Sequence, residues 1–585
     1  MTNIINKINS PKDLKNLSID DFKILAWEMR EALIKKTNTV WGHFWPNLWM
    51  VEATIAMHYV FNSPIDKFVF DVSHQSYPHK MLTWRMEAFT NPEKYSSVGG
   101  YTDPKESEHD YFFTWHTSTS VSLAAWLAKA RDLKWDKENI IAIIWDWSLS
   151  WWEAYEWLNN AAVLNSNIIV IVNDNDMSIA ENHWWLYQNL AALRKNNWEV
   201  ENNFFKSLWF DYYFIKDWHN FEELISTFEK VKDSDHPVLV HMCTTKWKGF
   251  EYAEKNKEPW HFIMPWMADN PTATINAGEN YATITRDYIL DKIRTDKTVI
   301  GMTAWTPMLD WFTPEYRNQA WMNYIDVGIA EQTEVAMASW IAKNGWKPIA
   351  GIASSFIQRT YDQLSHDLAL NSNPATILVS RNWISWSDAT HLWVFDIPLI
   401  SNIPNIVYLA PTTKEEYLAM LDWSVEQKDY PVAIRIPSWQ MISTWIQDKT
   451  DYSILNRFEI TNSWNEIAII WLWAFYHLAG NVKKLLDEKL GINTTLINPK
   501  FISWIDKEIL ENLKSTHKIV ITLEDGVLDG WFGEKISRFY GPSDMKVLNY
   551  GATKDFTNRI PVKELYERFH LTPELILQDI RTILK

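Results

Sequence analysis

Two rhythms alternate along this chain. Short runs rich in Ile and Val are followed by longer stretches in which apolar residues return every third or fourth position, the patterns of buried strand and amphipathic helix. The clearest pair of runs is NIIAII at Asn139–Ile144 and NIIVIV at Asn167–Val172. Continuous apolar runs of this kind predict parallel strands covered on both faces. Between them Glu153–Leu164 predicts a helix, so the unit is βαβ. Asp146 and Asn175 then fall just past the carboxyl ends of the two strands, the edge at which open α/β sheets bind ligands. Upstream, Ile19–Lys36 predicts a helix with Leu25, Met29 and Leu33 on one face. Downstream the pattern repeats twice. Val327–Ile329 ends a strand and Glu331 opens a helix, and further on EIAIIWLWAFYHLAGNV is a strand running into a helix. Polar stretches at Met267–Ala282 and Ser438–Tyr452 predict linkers. The expected architecture is α/β with three doubly wound domains, over residues 1–270, 283–437 and 456–585.

Composition narrows the function. A net charge of −17 without basic clusters argues against nucleic acid and anionic membranes as partners. The lone cysteine, Cys243, allows no intramolecular disulfide and points to a reducing compartment. The opening MTNIINKINSPKDLKN has no apolar core of signal-peptide length, and no apolar run reaches the roughly 18 residues of a membrane span. A cytoplasmic location is the expectation.

The turn after the first strand of the βαβ unit reads WDWSLSWW. An Asp and an Asn at this edge suit a hard cation such as Mg²⁺, which usually arrives with a phosphate. A turn that presents backbone N–H groups to a phosphate needs glycine, for positive φ and for the missing Cβ. Tryptophan is the worst residue for that task. The chain holds 16 Gly and 37 Trp in 585 residues, so glycine is far below its usual share of about 7%. The expectation is that most of these Trp are glycine codons decoded as Trp, UGA being assigned to glycine in the source. The alternative is a Trp-rich protein with aromatic binding platforms. With glycine at each Trp, the line becomes GDGSLSGGEAYEGLNNA, followed after the second strand by NDNDMSIAENHGG.

In that form it resembles the thiamine-diphosphate motif, GDG followed about thirty residues on by NDN. The wording is similar to the 1-deoxy-D-xylulose-5-phosphate synthase family of the transketolase superfamily. DVSHQSYPHKMLTWR resembles that family's DVGHQxYPHKxLTGR, with Ser73 and Trp84 standing where it has glycine. YIDVGIAEQ carries the AEQ motif, SSFIQRTYDQ resembles STFxQRAYDQ, and SRNWISWSDATH resembles an Arg…Asp…His substrate loop, one residue shorter between Asp and His.

The resemblance covers nearly the whole chain. It implies two thiamine-diphosphate-binding folds, a transketolase C-terminal-like domain without catalytic chemistry, and a homodimer. It also implies an enzyme that decarboxylates pyruvate and joins the two-carbon unit to glyceraldehyde 3-phosphate in isoprenoid biosynthesis. Mg²⁺ would be held by Asp146, Asn175 and the Met177 carbonyl. The diphosphate would lie near His74, His116, Thr117, Ser118, Trp147, Ser148 and Lys246. Glu331 would meet the pyrimidine ring nitrogen and Phe356 would stack on the ring. His43, His74, His261 and His391 are candidates for proton transfer, and Arg381, Asp388 and His391 would face substrate. Three positions depart from the family: Thr333 for the His of AEQH, Ala353 for the Tyr of YSTF, and Ser438 for the second Arg of RYPRG. A transketolase-like enzyme with another acceptor or a ketose donor, and a non-catalytic paralogue, therefore stay open.

Overall fold

The computed structural model describes residues 4–40, 42–43, 45–164, 166–176, 185–196, 198–244, 278–304, 306–307, 312–436 and 441–585. The chain divides into two compact units, Met1–Asn276 and Ala277–Lys585.

The first unit is built on one parallel sheet, ordered β1-β2-β3-β5-β4. Its strands are β1 (Lys67–Phe70), β2 (Ile140–Trp145), β3 (Ile169–Asp174), β4 (Asp211–Ile215) and β5 (Val238–Cys243). Strands β2 and β3 run one and two residues past the apolar runs. The ladder continues there, pairing Trp145 with Asn173 and Asp174 with Cys243. The connecting helix is Trp152–Val163, and its Ala154, Leu158 and Ala161 pack with Val121, Ala124 and Ala128 of the helix Ser120–Lys134 over Ile140, Ala142 and Ile144. Truncating a buried Leu such as Leu158 to Ala typically costs about 2–5 kcal/mol. The first long helix is Ile19–Thr39, opened by a capping box between Ser18 and Asp21 and three residues longer than its apolar pattern. In that last turn the buried Thr37 hydroxyl returns to the Leu33 carbonyl at 2.8 Å.

The second unit holds two sheets. One is wholly parallel, in the order β10-β11-β9-β8-β6-β7. It comprises β6 (Val299–Thr303), β7 (Tyr324–Asp326), β8 (Lys347–Ala353), β9 (Thr376–Ser380), β10 (Val407–Leu409) and β11 (Val432–Arg435). The other, β12-β14-β13-β15-β16, joins β12 (Glu459–Asn462), β13 (Glu466–Trp471), β14 (Thr494–Asn498), β15 (His517–Val527) and β16 (Lys546–Ala552). Only the edge strand β12 is antiparallel. The three α/β layers are those expected. Two linker boundaries shift. Helix Tyr281–Thr295 begins at the capping residue Asn280, inside the first stretch. Tyr452 of the second is buried in the core, its hydroxyl on Asp448.

Arg435 closes the second unit internally. It is fully buried at the end of β11, with Nε 2.7 Å from Asp396 and Nη1 2.6 Å from Asp525 of β15. A buried guanidinium needs such partners to offset its desolvation. This places Arg435 in an ion-pair bolt between two sheets.

Candidate active site

In the first unit the carboxyl edge of β1 and β2 gathers most of the residues singled out from sequence. Asp146 is fully buried directly after β2, and its N–H donates to the Asn173 carbonyl at 3.0 Å. Asn175, also buried, lies just beyond β3. The ring centroids of His43 and His74 are 5.2 Å apart, edge to face. Asn47 brackets both segments: its amide donates to the His43 and His74 carbonyls at 2.6 and 2.8 Å, and its oxygen accepts the Tyr77 N–H. Nothing in the spacing of Asn47 announced that role.

His116, Thr117 and Ser118 precede the helix Ser120–Lys134. Ser118 takes φ 75°, and its hydroxyl donates to the Ser148 carbonyl at 2.5 Å. Thr119, the residue before the helix, makes no side-chain cap bond. Asp71 instead accepts the Ser120 N–H at 3.3 Å. Burial pushes the Asp71 carboxyl up, against hydrogen bonds from Ser148, Ser118 and Ser120. Asp174 is a further acid absent from the sequence reading. Burial raises its pKa, but His241 at 2.9 Å and Arg194 at 2.5 Å outweigh that and leave it low. Cys243 lies in the same cluster. With both Asp174 oxygens engaged by Arg194 and His241, the group is an ion-pair network.

The two sequence neighbours of Asp146 are indoles that pack on one another and on their surroundings. Trp145 and Trp147 stack at 6.0 Å and 20°, Trp49 meets Trp145 at 5.6 Å, and His74 lies 5.5 Å from Trp145 and 6.1 Å from Trp147. Trp145 is 1% exposed, and its Nε1 has no hydrogen-bond partner among the described residues. Trp147–Ser150 forms one tight 3-10 turn. As written, this half of the site does not fit a diphosphate. The donors are in place, but aromatic rings stand at the turn. Met177, Lys246 and His261 lie outside the described residues.

In the second unit Glu331 is the first residue of the helix Glu331–Lys343 and is buried. The turn before it contains Gly328 at φ 70°, whose N–H donates to Asp326 at 2.9 Å. Glu331 Oε1 accepts from Arg359 at 3.4 Å, while Oε2 is buried without a hydrogen-bond partner among the described residues. A buried carboxylate oxygen left unsatisfied is costly, so this atom fits a donor supplied by a bound group. Phe356, half-buried, sits on the short helix Ser354–Ile357 directly after β8.

The Arg381–His391 loop leaves the end of β9. Arg381 is exposed, at φ 54°. Asp388 is buried, and the His391 N–H closes a turn onto its carbonyl at 2.8 Å. The third sheet's trailing segment grips this turn. Arg559 Nε meets Asp388 Oδ1 at 2.5 Å, the Arg559 N–H donates to the Ser387 carbonyl at 2.8 Å, and Asn558 accepts the Ala389 N–H at 3.2 Å. The last domain therefore holds the turn of the loop that carries Asp388 and His391.

Comparison with known proteins identifies these layers. Residues 291–440 match the transketolase pyrimidine-binding domain, and residues 457–576 the transketolase C-terminal domain. The chain is thus of the transketolase class, whose members depend on thiamine diphosphate. Residues 5–202 and 186–244 match the 1-deoxy-D-xylulose-5-phosphate synthase profile. The 1-deoxy-D-xylulose-5-phosphate synthase of Halothermothrix orenii is 33% identical over 623 aligned positions, covering 99% of this chain and 97% of that protein. That of Clostridium tetani is 32% identical, covering all of both. A solved transketolase from Campylobacter jejuni aligns over 97% of this chain and all of its own at 17% identity, with a TM-score of 0.42. The chain belongs to the 1-deoxy-D-xylulose-5-phosphate synthase family. No helix among the described residues is long and apolar enough to cross a membrane.

Proposed function

We infer that this chain, with glycine at its turn positions, is a thiamine-diphosphate- and Mg²⁺-dependent transferase that takes a two-carbon unit from pyruvate to an aldehyde, glyceraldehyde 3-phosphate being the first candidate. The carrying observation is Glu331: a buried acid at a helix start, one oxygen engaged by Arg359 and the other awaiting a donor. The cofactor supplies the carbanion chemistry; the chain's part is to hold and orient. In this reading Asp146, Asn175 and the Met177 carbonyl are the Mg²⁺ donors, with His116, Thr117, Ser118, Ser148 and Lys246 on the diphosphate side. His43, His74, His261 and His391 serve proton transfer and orientation. The same reading makes the enzyme a cytoplasmic homodimer.

The acceptor side supports a narrower statement. Charge-assisted hydrogen bonds hold a phosphate best. Where the family motif supplies a second Arg this chain has Ser438, and Arg435 is locked between Asp396 and Asp525. Arg381 is exposed at the loop. Losing one charged contact costs about 1.5–3 kcal/mol, so a raised KM for the phosphorylated aldehyde is expected. The test is steady-state kinetics of the glycine-bearing enzyme with pyruvate and a panel of phosphorylated and free aldehydes, beside Ser438→Arg. Product from pyruvate and glyceraldehyde 3-phosphate, with KM lowered by Ser438→Arg, supports the reading. Absence of pyruvate-dependent product with every aldehyde overturns it.

A further inference from the structure

We propose that the positions written as Trp at this protein's turns are glycine positions, and that the natural chain carries glycine there. The backbone makes this case independently of any activity. Among the described residues, twenty non-glycine residues have positive φ, and seven of them are Trp: Trp84, Trp135, Trp198, Trp209, Trp321, Trp445 and Trp473. With 37 Trp in 585 residues, chance would place about one there. A bulky side chain at positive φ is strained, and glycine is the residue that avoids the strain.

Two helix ends show the equivalence directly. Gly491 ends the helix Tyr476–Leu490 at φ 66°, ψ 22°, its own N–H on the Asp487 carbonyl and the next N–H, from Ile492, on Leu486. Trp135 ends the helix Ser120–Lys134 at φ 63°, ψ 22°, its N–H on the Asp132 carbonyl and the next, from Asp136, on Arg131. The bond registers differ by one residue, but both ends place a left-handed residue after the last turn, the position glycine ordinarily fills. The Trp135 side chain contributes nothing to it and is 90% exposed; Trp445, Trp209 and Trp321 are 88%, 80% and 75% exposed. Apolar rings left in water at turn positions gain no burial.

The second kind of misfit is interior. Trp145 and Trp147 do not take positive φ, and their difficulty is space. Their rings pack on each other and on His74 at the turn that carries Asp146, and the Trp145 N–H is buried without an acceptor among the described residues. In the second unit Trp531 is fully buried, and its Nε1 has no hydrogen-bond partner among the described residues. Glycine at these positions removes the rings and leaves the acid and the hydroxyls where they are.

Peptide mass spectrometry of the protein isolated from its source decides the proposal. Glycine at 84, 135, 145, 147, 209, 321 and 445 is the expected result; Trp at those positions overturns it. A second measurement uses the full-length recombinant chain. Trp135→Gly should raise the folding equilibrium constant by about tenfold, because left-handed backbone penalises any side chain. Trp126→Gly, in the middle of the same helix, should lower it by a few fold, because glycine weakens a helix interior. Loss of stability at both positions would overturn the backbone argument.

Discussion

Two strand-to-helix turns carry the acids proposed above for the site, and they differ in the residues beside the acid. After β7, Val327–Ala330 leads to Glu331 through Gly328 in the left-handed region, and no aromatic side chain intervenes. One Glu331 oxygen stays open to a donor. After β2, Asp146 is buried in the same way, but stacked indoles flank it. Position at the carboxyl edge is thus a property of the fold, while access to the acid is a property of its neighbours. Tryptophan, absent from one turn and repeated in the other, is what separates the two.

The comparison breaks most visibly at Glu331. In the glycine-bearing enzyme, Glu331→Gln should lower turnover by about 10²–10⁴-fold, the range for a group that handles a proton in the reaction. Cofactor binding should largely survive. Full turnover would mean the open oxygen has no chemical role. Arg435 gives the contrast of a buried charge with no part in the site. Arg435→Ala leaves Asp396 and Asp525 buried without their cation, and should cost about 3–5 kcal/mol in urea unfolding with cofactor affinity unchanged in the surviving folded fraction.

Next to that bolt, Glu524 is held near 8 by burial, from an ordinary 4.5. The folded protein therefore keeps its proton where the unfolded chain has lost it. Stability should fall as pH rises from about 4.5 to about 8, and Glu524→Gln should flatten that slope. An unchanged slope would place the titration elsewhere.

Two smaller effects sharpen the picture. Arg559→Ala frees the turn at Asp388, and should raise the KM for the aldehyde acceptor about tenfold with kcat and the pyruvate KM little changed. Arg559→Lys should recover part of it. Equal loss in kcat would indicate general disruption. Gly328→Ala puts a Cβ on a left-handed backbone and should destabilise by about 1–2 kcal/mol, measured by chemical denaturation. No loss there would weaken the claim that the open turn depends on glycine.

Much of this was legible in the sequence. The apolar runs located β2 and β3, and the Glu331 expected at a helix start is where the structure has one. The rest depends on contacts between distant segments. Arg559 reaches Asp388 across 171 residues and Arg435 reaches Asp525 across 90; no local rhythm encodes such pairs. Asn47 looks like any polar residue near a turn until it is seen holding two histidine segments. The βαβ pattern left Asp174 unnoticed because an acid ending a strand and an Arg twenty residues on have no periodic signature. The engagement of Arg435 with Asp396 and Asp525 is likewise visible only in the folded chain.

The central claim is that the Asp146 turn is a metal and diphosphate turn closed by indoles. Calorimetric titration with thiamine diphosphate and Mg²⁺ tests it most directly, on the chain as written and on a chain with glycine at 145, 147, 151 and 152. The account predicts no saturable heat from the first, and Mg²⁺-dependent binding by the second that Asp146→Ala abolishes. Equal binding by both chains, or binding by the glycine chain that ignores Asp146→Ala, would contradict it.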